Sequence, residues 1–151
     1  CVQYGFRYRE NYLNEIQGAG DMNALRHWFI GKTREICENI STFRERENEN
    51  VVSRVKGYIN ENFAKDISLD DVSRLVDISP YYFSKLFKQE VGENFIEYLT
   101  RTRIGHARQL LGDPRYSIKE VCVMCGYSDP NYFSRIFKKY EGKTPSEYRE
   151  R

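Results

Sequence analysis

Residues 80–88 read Pro-Tyr-Tyr-Phe-Ser-Lys-Leu-Phe-Lys, and residues 130–138 read Pro-Asn-Tyr-Phe-Ser-Arg-Ile-Phe-Lys. The two stretches lie about fifty residues apart, so the chain contains an internal duplication. One inserted residue near Asp129 separates the two registers. The match continues on both sides of these stretches, through the pairs Ser68 and Ser117, Gly92 and Gly142, and Tyr98 and Tyr148. Each copy is therefore expected to fold in the same way.

The first half of each copy predicts a short helix. Ser68 and Ser117 can act as N-caps, and Asp71 and Glu120 follow three residues later, which is the spacing of a capping box. Apolar residues then recur at helical spacing and predict a buried face, formed by Leu69, Val72, Leu75 and Val76 in the first copy and by Ile118, Val121, Cys122 and Cys125 in the second.

A turn and a second helix follow in each copy. Gly126 can adopt the left-handed conformation of a helix end, and Ser79 and Ser128 are predicted N-caps. Pro80 and Pro130 suit the first helical turn, because that position needs no amide hydrogen. Each second helix has one apolar side, with Phe83, Leu86 and Phe87 in the first copy and Phe133, Ile136 and Phe137 in the second. Because the opposite side is polar and cationic, each copy is predicted to be a helix-turn-helix unit.

A longer helix is predicted between the copies, from Phe95 to Leu111, and it ends at the sequence Gly112-Asp113-Pro114. The pattern turns three cationic residues outward, Arg101, Arg103 and Arg108. It turns six apolar residues inward, namely Ile96, Leu99, Ile104, Ala107, Leu110 and Leu111. Upstream, a helix over residues 51–63 is expected to complete the first core with Val52, Val55, Ile59 and Phe63. The fold class predicted is all-α, with two helix-turn-helix subdomains, a long linker helix and an N-terminal helical extension.

Residues 1–50 carry a less specific pattern. Asp21 can cap a helix with an apolar stripe, formed by Leu25, Trp28, Phe29, Ile36, Ile40 and Phe43. This helix either packs on the helix-turn-helix part, or dimerises or transmits a signal. Residues 1–18 give no assignment.

The charge distribution favours the second part of the chain for a nucleic-acid partner. The net charge is only +2, which would suit an ordinary enzyme equally well. Residues 1–50 contain seven Lys or Arg and eight Asp or Glu, whereas residues 51–151 contain seventeen and fourteen. The basic excess therefore lies entirely with the duplicated units.

We expect a cytoplasmic protein without a membrane helix. No stretch approaches the roughly eighteen uninterrupted apolar residues of a membrane span, and charged residues occur where a signal peptide would be apolar, at Arg7, Arg9, Glu10 and Glu15. Because the chain begins at Cys1 and not at Met, we also expect a fragment of a longer protein whose missing part holds the sensor.

We predict no cofactor, metal site or enzymatic activity. Cys122 and Cys125 have a spacing seen in zinc and redox sites, but no second Cys or His pair follows at ligand distance, so core packing is favoured. His27 and His106 each stand among charged neighbours without a Ser or Cys partner in a motif, which gives no indication of catalysis.

The residues from 51 to 149 resemble the AraC/XylS family of transcription regulators. The stretch from Gly126 to Lys139, with 142–145 and Tyr148-Arg149, is similar to the C-terminal hallmark of that family. Arg103-Ile104 with Ala107 and Leu110-Leu111 resembles its linker helix, and residues 79–88 are similar to the branch fused to response-regulator receivers. Three positions depart from the usual pattern, namely Ser73 and Cys122 in place of alanine and Asp77 where the second copy has Gly126. They put in doubt which half binds DNA more strongly, but not the fold.

Two such helices, held by one linker helix, can enter successive major grooves about 34 Å apart on one face of a DNA duplex. The side chains that can point into the grooves are Tyr81, Ser84 and Lys85 in the first unit and Asn131, Ser134 and Arg135 in the second, and the resemblance implies that these are base-reading positions. Phosphate contacts are assigned to Lys88, Lys138, Lys139, Ser79 and Ser128. Tyr82 and Tyr132 are interpreted as packing residues. For Arg101, Arg103 and Arg108, a solvated face, pairing with acidic neighbours and phosphate contact all stay open.

The sequence therefore predicts a regulator that binds double-stranded DNA at an operator, and we expect activation with RNA polymerase as a partner and a possible homodimer through the N-terminal helix. The expected domains are an extension at 1–50, a first unit at 51–94, the linker helix at 95–112 and a second unit at 113–151. Two rivals are a protein-interaction module that has kept the fold and a DNA-repair fusion with a reactive cysteine.

Overall fold

The structure is a computed structural model, and it describes residues 12–18 and 20–150 of the chain. These residues form helices and no strands, which confirms the all-α prediction. In chain order the helices are α1 Tyr12–Gln17, α2 Met22–Asn62, α3 Leu69–Leu75, α4 Pro80–Val91, α5 Phe95–Leu111, α6 Ile118–Met124, α7 Pro130–Glu141 and α8 Pro145–Arg149. No helix in the described ranges is long and apolar enough to span a lipid bilayer.

The chain divides into two compact units between Arg46 and Glu47. The helix α2 runs through this position and through residue 50, where the sequence analysis placed its boundary. In the N-terminal unit, Trp28 Nε1 donates to Glu15 Oε2 over 2.6 Å, and the Tyr12 ring meets Trp28 edge to face. These contacts hold α1 against α2. The prediction that Asp21 caps the second helix is confirmed, since its Oδ1 accepts from the Ala24 amide over 2.7 Å.

The C-terminal unit contains two cores, one for each helix-turn-helix unit. The first is built around Phe83 and Phe87 of α4, which lie against α2, α3 and the start of α5. The second is built around Phe133 and Phe137 of α7, which lie against α6, α8 and the end of α5. All four phenylalanine side chains are fully buried. The linker helix α5 therefore belongs to both cores.

Local signals in the sequence set the helix ends. Ser68 and Ser117 form the predicted capping boxes with Asp71 and Glu120. Ser79 caps α4, with its Oγ accepting from the Tyr82 amide over 3.2 Å. The prediction for α7 is wrong by one residue: Asp129, not Ser128, is the N-cap, because the inserted residue moves the cap along the chain.

Three predictions about side-chain direction are wrong. Ile96 was expected inward but is 60% exposed, since Phe95 occupies the inward position of the first turn and the next residue points about 100° away. Leu75 is 38% exposed, because the inward positions are taken by Val72 of α3 and by Val76, the residue that caps its C-terminal end. Arg103 was expected outward but is half-buried, with its guanidinium bound to backbone carbonyls of residues outside its own helix.

Candidate nucleic-acid interface

The second helix of each helix-turn-helix unit carries the predicted base readers and is termed the recognition helix. In the first unit this helix is α4, which is amphipathic over its whole length. Phe83, Leu86 and Phe87 are buried on one side. On the other side the predicted readers are all exposed, with Tyr81 82% accessible and Ser84, Lys85 and Lys88 also open to solvent. Burial of one side fixes the rotation of the helix about its axis. The opposite side is therefore held outward as a rigid surface.

The second recognition helix, α7, repeats this arrangement. Phe133 and Phe137 are buried, and the cationic and amide side chains at the predicted positions are exposed, namely Asn131, Arg135, Lys138 and Lys139. Ser134 differs from its counterpart Ser84, since it is half-buried and its Oγ donates to the Pro130 carbonyl over 2.9 Å. A hydroxyl that has donated its proton in this way can still accept hydrogen bonds through its lone pairs.

The N-terminal ends of the two recognition helices differ electrically. At α4 the cap is the neutral hydroxyl of Ser79. At α7 the Asp129 carboxylate accepts from the Asn131 amide over 2.8 Å, which places a negative charge where an anion would otherwise bind. Ser128 is exposed beside this carboxylate. The α7 N-terminus is therefore less suited to a phosphate than the α4 N-terminus.

The cations of the two outward faces make no ion pair with the described part of the chain. These cations are Lys85, Lys88, Arg135, Lys138 and Lys139. Within residues 12–18 and 20–150, none of the five makes an ion pair within 4.0 Å. By contrast, Arg74, Arg108 and Arg115 pair with Asp71, Glu141 and Asp113. Their charge is partly neutralised by the protein itself. The five cations on α4 and α7 therefore keep a charge that a polyanion can meet.

The linker-helix arginines are engaged within the protein, as one of the three alternatives expected for Arg101 and Arg108. Arg101 Nε donates to Glu93 Oε1 over 3.0 Å, and this hydrogen bond raises the pKa of Arg101. The pKa of Arg108 is raised first by a hydrogen bond with Tyr148 and then by the charge of Glu141. Pairing with neighbours is therefore confirmed for Arg101 and Arg108.

The tyrosines next to the buried phenylalanines occupy an intermediate environment. Tyr82 and Tyr132 are about half exposed. Tyr132 also packs against Tyr127, with ring centroids 6.1 Å apart. This contact agrees with the packing interpretation for Tyr132, and both rings keep an accessible half.

The two close cysteines are core residues, as predicted. Both are fully buried free thiols, and Cys122 Sγ donates to the Tyr127 carbonyl over 3.3 Å. Burial, helped by the neighbouring Cys122, raises the pKa of Cys125 to about 11. Among the residues that the structure describes, no group of three or more His, Cys, Asp and Glu side chains is arranged to hold a metal ion. Of the histidines, His106 is stacked on Phe63, with ring centroids 3.9 Å apart.

Comparisons with known proteins agree with this geometry. Residues 72–151 match the family model described as a helix-turn-helix domain. The chain is 41% identical over 95 residues to the HTH-type transcriptional regulator YijO of Escherichia coli, a match that covers 63% of this chain and 34% of that protein. It is 40% identical over 92 residues to the lactose operon transcription activator of Staphylococcus xylosus, covering 61% and 33%. The chain thus spans about a third of the length of these curated relatives.

A solved structure shows the same fold. The C-terminal domain of AraT, a response regulator from Geobacillus stearothermophilus, superposes with a TM-score of 0.64 at 38% identity, over 66% of this chain and 84% of that one. These three relatives are named as regulators and not as enzymes. This chain belongs to the AraC/XylS family of transcription regulators, and carries the DNA-binding helix-turn-helix domain of that family.

Proposed function

We propose that this chain binds an operator in double-stranded DNA sequence-specifically, by placing α4 and α7 in successive major grooves, and that it activates transcription. The observation that carries the proposal is the matched pair of outward faces. Each face lies opposite two fully buried phenylalanines, and each carries cations that are not paired within the described part of the protein. An α-helix fits the major groove of B-DNA, where every base pair presents a distinct hydrogen-bonding pattern.

The chemistry of the exposed side chains suggests their individual roles. Arg135 can donate two hydrogen bonds to guanine, and Asn131 can pair with adenine. Tyr81, which is 82% exposed, offers its ring to a thymine methyl group. Ser84 and Lys85 complete the first face. Ser134 is proposed as an acceptor from a base amino group, because its proton is already given to Pro130.

A second set of residues is proposed to hold phosphates. Lys88, Lys138 and Lys139 lie toward the C-terminal ends of their helices, beyond the readers. Ser79 and the amides at the start of α4 supply an anion-binding site that contains no charged side chain. Ser128 is proposed as a weaker phosphate contact, since the Asp129 carboxylate lies next to it. Such contacts set the register on the duplex and the salt dependence of binding without reading its sequence.

The proposal also includes transcription activation, two protein partners and a division of the chain into domains. A relative named as an operon activator supports activation, with RNA polymerase as the partner. A homodimer through α2 is supported by the exposure of Phe29 and Ile36, seven residues apart. We keep the proposed domains at 1–50, 51–94, 95–112 and 113–151, with α2 as the helix that crosses the first boundary.

The direct test is a selection from random DNA duplexes at a stated salt concentration. The proposal expects one long, asymmetric consensus with two conserved blocks, whose centres lie about ten base pairs apart. Enrichment of no sequence, with binding that depends on salt alone, would favour the rival in which the fold has become a protein-interaction module.

A further inference from the structure

Arg103 lies where the two helix-turn-helix units meet. Its helix, α5, contributes Phe95 and Leu99 to the first core and Ile104 and Ala107 to the second. Arg103 therefore comes after the last α5 contact with one core and directly before the first α5 contact with the other. If α5 were the sole connection, bending or twisting at this point would change the angle between the units. A further contact here would resist that change.

The Arg103 guanidinium binds the turn at residues 63–65, directly after the C-terminal end of α2. Its Nε donates to the Phe63 carbonyl over 2.7 Å, and its Nη2 donates to the Lys65 carbonyl over 2.8 Å. Carbonyl oxygens in a turn after a helix have no partner in a helical ladder and carry partial negative charge, so a planar cation with several N–H donors suits them well. The C-terminal part of α2 belongs to the first helix-turn-helix unit, because Val55 and Ile59 are buried in its core.

The same guanidinium contacts the second unit. Its Cζ lies 5.4 Å from the centroid of the Tyr127 ring, a cation–π distance. Tyr127 lies in the turn between α6 and α7, and its ring centroid is 5.4 Å from that of Phe133 in α7. One side chain therefore links the turn after α2 with the turn that leads into the second recognition helix.

Two neighbouring contacts also connect the residues after α2 with α5 and with the second unit. A Cβ atom on Gly126 would lie 2.7 Å from the Ala64 carbonyl oxygen, so the turn of the second unit and the turn after α2 are in close backbone approach. His106, one helical turn after Arg103, stacks on Phe63 with an interplanar angle of 6°. The turn after α2 thus packs against both α5 and the second unit, which gives the two units a second connection besides α5.

We propose that Arg103 is a positioning residue for two-groove binding: by joining residues 63–65 to the turn at 126–127, it fixes the angle between α4 and α7 before DNA is bound. Its effect on DNA binding rests on the proposed function, but its effect on the angle does not. Loss of the clamp is expected to leave each recognition helix intact while the two helices move relative to each other. The protein would then discriminate less between operators with different half-site spacings, whereas its affinity for either half-site alone would change less.

The first arm of the test measures the angle without DNA. Spin labels at Gln89→Cys, in the last turn of α4, and at Lys143→Cys, just after α7, are introduced into the full chain with Cys1 and Cys37 replaced by serine. Double electron–electron resonance is expected to give a narrow distance distribution for the parent protein and one at least about twofold wider for Arg103→Gln, since the clamp's two hydrogen bonds and its ring contact are lost. An unchanged distribution in a folded Arg103→Gln protein would overturn the inference, whatever the DNA results.

The second arm measures spacing selectivity on the selected operator. One base pair inserted between the half-sites shifts them by about 3.4 Å and rotates them, and is expected to weaken binding by the parent about tenfold. The same insertion is expected to weaken Arg103→Gln less than about threefold. An equal penalty for both proteins would overturn the inference. A parent protein that binds equally well after one half-site is scrambled would instead refute the two-groove proposal, and the distance arm would still stand.

Two variants serve as controls. Arg74→Gln removes an exposed arginine whose ion pair with Asp71 lies within one helix of the first unit, and it is expected to leave the distance distribution unchanged. Arg103→Lys keeps the charge but lacks the planar fork that reaches two carbonyls, so an intermediate width is expected. Thermal unfolding monitored by circular dichroism confirms that each variant is folded. If Arg103→Gln does not fold, Arg103→Lys takes its place, and a distribution as narrow as the parent's would overturn the inference.

Discussion

Gly126 approaches Ala64 so closely that a Cβ atom on the glycine would lie 2.7 Å from the alanine carbonyl oxygen. Gly126 also has a φ of +80°, in the left-handed region that favours glycine. We predict that Gly126→Ala lowers the free energy of unfolding by about 2–5 kcal/mol, because backbone strain and overpacking add at this position. Urea denaturation measures the change.

Gly142→Ala is the matched control. Gly142 ends α7 with a φ of +75°, but nothing lies within 4 Å of a Cβ atom built there. Its substitution is expected to cost only the strain of the left-handed conformation, about 1–2 kcal/mol. Equal losses for the two variants would show that the contact with Ala64 contributes nothing.

A second prediction uses neighbouring turns of α5. Leu99 is buried in the first core, whereas Ile96, three residues earlier, is 60% exposed. Leu99→Ala is expected to lower the free energy of unfolding by about 2–5 kcal/mol through loss of burial and creation of a cavity. Ile96→Ala is expected to cost less than about 1 kcal/mol. A larger loss from Ile96→Ala than from Leu99→Ala would contradict the observed rotation of α5.

These two residues also show what sequence reasoning could and could not predict. The duplicated pattern predicted both helix-turn-helix units, their capping boxes and their buried phenylalanines, because all of these depend on residues within about four positions of each other. The direction of Ile96 depends on which flank of α5 meets the first core. That is set by the packing of other helices, and periodicity over a single turn does not contain it.

The candidate interface was likewise predictable from the sequence only in part. Amphipathicity correctly placed Lys85 and Arg135 on outward faces, while their contact with DNA stays a prediction. The Asp129 cap was missed because the inserted residue breaks the alignment with Ser79; the fact that aspartate is among the best N-caps could have indicated it. The clamp made by Arg103 depends on carbonyls 38 and 40 residues away, a distance at which no local signal operates.

A third prediction concerns thiol reactivity. Cys37 is exposed, whereas Cys122 and Cys125 are buried. With a pKa of about 11, only about a thousandth of the Cys125 thiol is ionised at pH 8, and the thiolate is the reactive form. Iodoacetamide is expected to label Cys37 in the native protein and the buried pair only after unfolding, as read by peptide mass spectrometry. Rapid native labelling of Cys125 that zinc prevents would instead support the DNA-repair rival.

A fourth prediction separates base reading from phosphate binding on α7. Arg135→Ala is expected to weaken binding to the selected operator by about 1–3 kcal/mol and to relax specificity at one base pair. Lys138→Ala is expected to weaken binding to all sequences and to reduce the salt slope by about one. Fluorescence anisotropy with operator and scrambled duplexes over a range of salt measures both effects. Equal losses on operator and scrambled DNA for both variants would refute the two roles.

The central claim is that α4 and α7 occupy successive major grooves on one face of the duplex. Dimethyl sulfate methylates guanine N7 in the major groove, so protection of the selected operator by the bound protein reports on this claim directly. We expect two protected patches whose centres lie about one helical turn, or ten base pairs, apart on the same face. Arg135→Ala should remove protection from one patch and leave the other. Protection confined to a single patch in the unmodified protein, or lying on opposite faces of the duplex, would contradict the claim.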